Sequence, residues 1–244
     1  MITVYDANQA KLAEKSQCDL LLVGDSLGMV VQGHRDTLKV SMRDMLYHTE
    51  CVRRGAPHSF IVTDLPFGSY QSNISDGIKN SVALIQAGAN MVKLEGCAWT
   101  QLITKLVEAG IPVMGHLGLT PQSINEFGGF KVQGRGENEA DKLIASAIAL
   151  QTAGCSAVVL ESIPADLAAN MTQKLNIPTI GIGAGAFTDG QVLVWHDVLG
   201  LDLSFKPKFV KNYAELEKNI ILALNNYCHE VQRQVFPGEE HIYL

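Results

Sequence analysis

The sequence predicts an α/β protein: a single-domain (β/α)8 TIM barrel over residues 1–244, with a C-terminal helix and tail. Three observations carry that expectation. Short apolar runs alternate with helix-length segments about eight times, with no linker and no break in composition, as in a parallel sheet with right-handed crossovers. A length of 244 residues suits a closed barrel of that many repeats better than an open sheet. Five apolar runs also finish on a polar residue: Leu20 to Gly24 on Asp25, Phe60 to Thr63 on Asp64, Met91 to Leu94 on Glu95, Pro112 to Gly115 on His116, and Ala157 to Leu160 on Glu161. Barrel enzymes place their chemistry at the C-terminal ends of strands, where all five residues then fall.

The elements follow in order. Ile2 to Tyr5 is a first strand, and Ala7 to Ser16 a helix with Ala10, Leu12 and Ala13 inward. The second strand ends at Asp25-Ser26, and a long loop runs from Gly28 to Lys39. Ser41 N-caps a helix through Arg54, which Gly55 and Pro57 end. Strand three stops at Asp64, before the polar loop Gly68 to Asn73; Ser75 to Ala87 is helical, closed by Gly88. Asn90 to Glu95, Trp99 to Ala109 and Pro112 to His116 continue as strand, helix, strand. The glycine-rich stretch Gly118 to Gly136 is too long for a mere connection and reads as a lid or binding loop. Helix Glu139 to Ala153, strand Ala157 to Glu161, helix Pro164 to Leu175 and strand Pro178 to Gly183 follow. Strand eight is placed within Lys208 to Lys211, and Ala214 to about Val235 is an amphipathic helix.

Composition excludes several classes. The chain is 47% hydrophobic and 18% charged, with net charge -6 and no basic run, which argues against nucleic acid or a basic membrane face. No apolar run approaches the roughly 18 residues of a membrane span. The N-terminus lacks the basic and apolar regions of a signal peptide. Cys18, Cys51, Cys97, Cys155 and Cys228 are widely spaced and form no Cys-x-x-Cys pair, as expected of reduced thiols in a cytoplasmic protein.

Asp25 and Asp64 end neighbouring strands, and two carboxylates on one rim repel unless a cation lies between them; oxygen-only ligands favour Mg2+. Either could instead cap the segment that follows it. Lys93 and Glu95, two apart, share one face. They read as an anion contact with a metal-shell carboxylate, or as a structural ion pair. His116 at a strand end is a candidate site residue, against the commoner structural histidine. Glu161, closing an uninterrupted apolar strand, is the candidate general base, or else a salt-bridge partner. Gly181-Ile182-Gly183-Ala184-Gly185 could cradle a phosphate, or simply permit close backbone approach. The other six histidines show no paired ligand spacing and are assigned no metal.

At these residues the chain closely resembles the ketopantoate hydroxymethyltransferase family. The resemblance lies in Val23-Gly24-Asp25-Ser26-Leu27-Gly28-Met29, Asp64-Leu65-Pro66-Phe67, Lys93-Leu94-Glu95-Gly96, Gly115-His116-Leu117-Gly118-Leu119-Thr120-Pro121-Gln122-Ser123, Phe127-Gly128-Gly129-Phe130-Lys131-Val132-Gln133-Gly134-Arg135-Gly136 and Ile180-Gly181-Ile182-Gly183-Ala184-Gly185, and extends over essentially the whole chain. It implies Mg2+-dependent transfer of a hydroxymethyl group from 5,10-methylenetetrahydrofolate to 3-methyl-2-oxobutanoate, giving 2-dehydropantoate for pantothenate synthesis. It also implies a homo-oligomer, a decamer in most members. Residue by residue, it makes Asp25 and Asp64 metal ligands and Glu95 a metal-site carboxylate acting through water. Asp25, Ser26, Asp64, Lys93 and His116 become substrate-site residues, and Glu161 the general base. Family members carry a short helix before the first strand, which bears on stability or assembly rather than chemistry. The runner-up expectation is a Mg2+-dependent barrel carbon–carbon lyase or mutase acting on a 2-oxo acid through an enolate. Such lyases carry a Lys-Lys-Cys-Gly-His-like loop that this chain lacks. A third reading is a catalytically inactive barrel serving as a scaffold.

Overall fold

The structure, a computed structural model, describes residues 1–202 and 207–243. Eight parallel strands lie in the order of the sequence: β1 (Ile2–Thr3), β2 (Leu20–Val23), β3 (Phe60–Asp64), β4 (Met91–Glu95), β5 (Val113–Gly118), β6 (Ala157–Glu161), β7 (Thr179–Ile182) and β8 (Gly190–Gln191). The sheet closes on itself. Ile2 forms a parallel bridge with Leu193, Thr3 N–H donates to Leu193 O at 3.1 Å, and the Met1 amino group donates to Gln191 O at 2.9 Å. The expected (β/α)8 barrel is therefore the observed fold.

Helices α1 (Ala7–Glu14), α2 (Leu27–Val30), α3 (Met42–Gly55), α4 (Ile74–Gln86), α5 (Thr100–Glu108), α6 (Ile124–Phe127), α7 (Glu137–Ala153) and α8 (Ala165–Lys174) connect the strands. Ser41 caps α3 as expected and makes a full capping box with Asp44. Asn73 caps α4 through the Asp76 N–H, so that helix starts one residue earlier than its sequence suggests.

Period-two alternation sorts the strand residues into two layers. Leu22, Val62, Met91, Met114, Val159, Ile180 and Val192 fill the barrel interior as one cluster. Leu21, Ile61, Val92, Leu94, Val158 and Leu160, buried on the opposite face, lie toward the helices. Continuing the interior register by two residues toward the C-terminal rim gives Asp64 after Val62, Lys93 after Met91, His116 after Met114 and Glu161 after Val159. The alternation that packs the core therefore also turns the polar residues inward.

One element corrects the sequence reading. The eighth strand is Gly190–Gln191, whereas Lys208 to Lys211 is turn and irregular chain. A two-residue strand beginning on glycine carries no apolar run to detect. It is held by its surroundings: Asp189 accepts the Thr179 N–H at 2.9 Å, and Val192 N–H donates to Gly181 O at 2.9 Å. The stretch read as a loop from Gly28 also contains most of α2, which starts directly after Asp25-Ser26.

The chain divides into two compact units, Met1–Val194 and Trp195–Leu244. The first holds the whole barrel. The second contains α9 (Trp195–Leu199), α10 (Leu216–Gln232) and a 3-10 turn at Glu239–His241. Within it, Tyr213 N–H donates to Val198 O at 2.8 Å, and the Phe236 ring contacts Tyr227 and His241. No helix among the described residues is long and apolar enough to cross a membrane.

Candidate active site

The seven residues singled out in the sequence gather at the C-terminal rim, and strand register explains how. Asp64 of β3 lies beside Lys93 of β4, and Glu95 of β4 beside His116 of β5. Lys93 Nζ is 2.6 Å from Asp64 Oδ1, with both side chains buried. Asp25, two residues past the end of β2, is tied to β3 because its N–H donates to Asp64 Oδ2 at 3.0 Å. His116 lies between two carboxylates, Nδ1 at 3.3 Å from Glu95 Oε1 and Nε2 at 3.2 Å from Glu161 Oε2. These are ion-pair distances without hydrogen-bond alignment. Ser26 Oγ shares a 2.8 Å hydrogen bond with the hydroxyl of buried Tyr5, which fixes the serine at the edge of the cluster.

Charges in this pocket do not balance locally. Asp25 sits well above the usual carboxylate range, first because it is buried and then because the Asp64 and Glu95 charges face it; Lys93 and a hydrogen bond from Gln122 only partly offset this. Burial lowers Lys93, but the charges of Asp64, Glu95 and Asp25 outweigh it and hold the ammonium above the ordinary lysine value. Burial and the Lys93 charge also push His116 down, while Glu161 and Glu95 on either side more than reverse that, raising it to about 9. The strain is concentrated on Asp25, a buried acid facing two others. Removing it requires either a proton or a cation.

The residues present fit a hard dication. Among the described residues no three His, Cys, Asp or Glu side chains form a ready-made cage. An ion that retains several waters needs only one or two protein carboxylates, however, which Asp25 and Asp64 supply with oxygen ligands alone.

A raised histidine has a consequence for stability. With a folded value of about 9 against 6.5 for the free side chain, His116 contributes stability fully below about pH 6.5 and loses it as pH rises through about 9. At about 1.4 kcal/mol per unit, the contribution is on the order of 3 kcal/mol. In metal-free protein, the stability difference between wild type and His116→Gln is expected to be largest near about pH 6 and to shrink by about pH 10. A difference independent of pH would mean that His116 is neutral in the fold.

Two site residues escaped the sequence reading. Gln122 follows Pro121, which opens a 3-10 turn (Pro121–Ser123) just beyond β5, and its side chain reaches Asp25. Tyr70, in the polar loop after β3, is almost fully buried, and its hydroxyl accepts the Glu95 N–H at 3.1 Å. The proline-marked turn start was the available signal for Gln122. A lone tyrosine in a loop gave none. The glycine run after β7 supports the close-approach reading: Gly185 has φ +80°, and a Cβ there would lie 2.4 Å from Ala165 Cβ.

Solved structures define the class first. This chain superimposes on phosphoenolpyruvate phosphomutase from Streptomyces platensis subsp. rosaceus with a TM-score of 0.63 at 14% identity, covering 100% of this chain and 86% of that one. A 2,3-dimethylmalate lyase of the PEP mutase/isocitrate lyase superfamily gives 0.61 at 15% identity, over 99% and 85%. Both likenesses establish a barrel fold and no more. The sequence is more specific. The family model for ketopantoate hydroxymethyltransferase matches residues 1–239. The 3-methyl-2-oxobutanoate hydroxymethyltransferase of Shewanella loihica is 53% identical over 243 residues, 99% of this chain and 92% of the relative. That of Thermotoga neapolitana is 48% identical over 244 residues, 100% of this chain and 90% of the relative. The chain belongs to the ketopantoate hydroxymethyltransferase family, a family of transferase enzymes. Family membership sets aside the lyase and mutase expectation.

Proposed function

We propose that this protein transfers a hydroxymethyl group from 5,10-methylenetetrahydrofolate to 3-methyl-2-oxobutanoate, with Mg2+, to give 2-dehydropantoate. The observation that carries the reading is the inward-facing rim cluster, in which buried Asp25, Asp64 and Glu95 outnumber Lys93 while Glu161 stands on the far side of His116. The names of the close relatives support the substrate.

In this reading Asp25 and Asp64 would hold Mg2+, with Glu95 acting on it through water. When bound, the ion supplies the Lewis acidity that makes the C3 hydrogen of the 2-oxo acid removable. Lys93 and Ser26 hold the acid's carboxylate end. Glu161 takes the C3 proton, and His116, 3.2 Å from Glu161 Oε2, keeps that carboxylate aimed across the mouth. Overall the C3–H bond and both carbon–nitrogen bonds of the folate methylene break, the methylene carbon gains one bond to C3 and one to a water oxygen, and the two folate nitrogens take up the C3 proton and the proton that water gives up. The loop between Gly118 and Gly136 keeps bulk water from the electrophile. It is anchored beside Glu161 by the Gln133 N–H donating to Ser162 O at 2.9 Å. We place the enzyme in the cytoplasm, as a homo-oligomer with small-molecule substrates only.

The test is proton NMR of 3-methyl-2-oxobutanoate in D2O with the protein, with and without Mg2+ and tetrahydrofolate. The C3 hydrogen signal is expected to disappear only when Mg2+ is present. Persistence of that signal with folded, Mg2+-loaded protein would remove the central step and favour the scaffold reading.

A further inference from the structure

We infer that Gln122 is a positioning residue that holds Asp25 and Glu95 in place for the cation, resting on the metal reading above. The observation is a fully used side-chain amide. Gln122 Nε2 donates to Asp25 Oδ2 and to Leu65 O, each at 2.9 Å. Its Oε1 accepts from the Tyr70 hydroxyl at 2.8 Å and from Gln71 Nε2 at 3.1 Å. Two donors and two acceptors are each matched, so the amide cannot turn over without breaking every bond. The backbone N–H of the same residue donates to Glu95 Oε2 at 2.9 Å. Gln122, in the turn that follows β5, therefore grips a carboxylate just after β2, a carboxylate of β4 and the backbone just after β3.

The position of these bonds matters. Asp25 follows β2 and Glu95 ends β4, and both are buried. Like charges at a rim drift apart unless each is held by a donor, and Gln122 supplies a neutral donor to each without adding a competing cation. Lys93 lies instead against Asp64, at 2.6 Å. Tyr70 completes the device: it accepts the Glu95 N–H and donates to Gln122 Oε1, so the amide's direction is set from the β4 side.

Gln122→Met keeps the volume and removes the amide. Titration calorimetry of metal-free protein with Mg2+, repeated with Mn2+, is expected to show affinity weakened about tenfold, the size of one buried hydrogen bond to a charged group. Tyr70→Phe leaves Gln122 in place but removes one of the two bonds to its Oε1, and a smaller weakening in the same direction is expected. On the Gln122→Met background Tyr70→Phe should weaken binding less than it does in wild type, because the part of its effect that runs through the amide is already lost, while the bond from the Glu95 N–H is lost on either background. Unchanged Mg2+ affinity in a folded Gln122→Met, or full additivity of the two changes, overturns the inference. If Gln122→Met does not fold, an unchanged affinity in Tyr70→Phe does so. Failure of wild type to bind either ion would instead overturn the Mg2+ reading itself, and this inference with it.

Discussion

Asp64→Ala and Asp25→Asn are both expected to abolish turnover and its response to Mg2+, while moving stability in opposite directions. Asp64 is the partner of buried Lys93 at 2.6 Å and receives the Asp25 N–H. Deleting it strands a buried ammonium, a loss of about 3–5 kcal/mol. Asp25 is the group whose charge the fold opposes, through burial and then through Asp64 and Glu95. An acid whose folded value is raised costs stability once pH exceeds its unfolded value, so a neutral amide at position 25 relieves the metal-free protein at neutral pH. Urea melts of both variants beside a Mg2+ titration of activity separate the two effects. If Asp25→Asn is as destabilised as Asp64→Ala, the electrostatic picture of the site is wrong. If either variant keeps its activity and Mg2+ titration, the ligand assignment is wrong.

Glu161→Gln is expected to lose turnover by about 10²–10⁴-fold, the usual contribution of a general base, while still binding the 2-oxo acid and Mg2+. The substitution preserves size and leaves an oxygen for His116, so the local fold is kept. In the D2O experiment the C3 hydrogen should then persist at substrate concentrations that saturate the variant. Turnover at the wild-type rate would move the base elsewhere, and His116, which faces both carboxylates, is the next candidate.

What the sequence could reveal depended on distance along the chain. An apolar run that stops on a charged residue is a local signal, so Asp25, Asp64, Glu95, His116 and Glu161 could be read residue by residue. Their pairings could not, because they are set by register between strands. Asp64 meets Lys93 directly across a strand pair, whereas His116 pairs with Val159 and meets Glu161 on the diagonal. Strand β8 was lost for a different reason: two residues starting on glycine are held by neighbours, not by their own pattern. Gln122 was hidden by its neutrality. A glutamine in a loop looks solvated until the fold surrounds it with Asp25, Tyr70 and Glu95.

Gly118 has a consequence for how this protein can change over time. It pairs with Glu161 across β5 and β6 at φ +91°, and a methyl group added there would lie 2.1 Å from the Glu161 carbonyl oxygen. The gap between the strand carrying His116 and the strand carrying Glu161 is thus set by an absent side chain. Any replacement drives the Glu161 backbone outward while leaving every reactive group chemically intact. A position with no reactive atoms of its own is thereby denied neutral drift, and the evolutionary constraint on the reaction extends into backbone that takes no part in it.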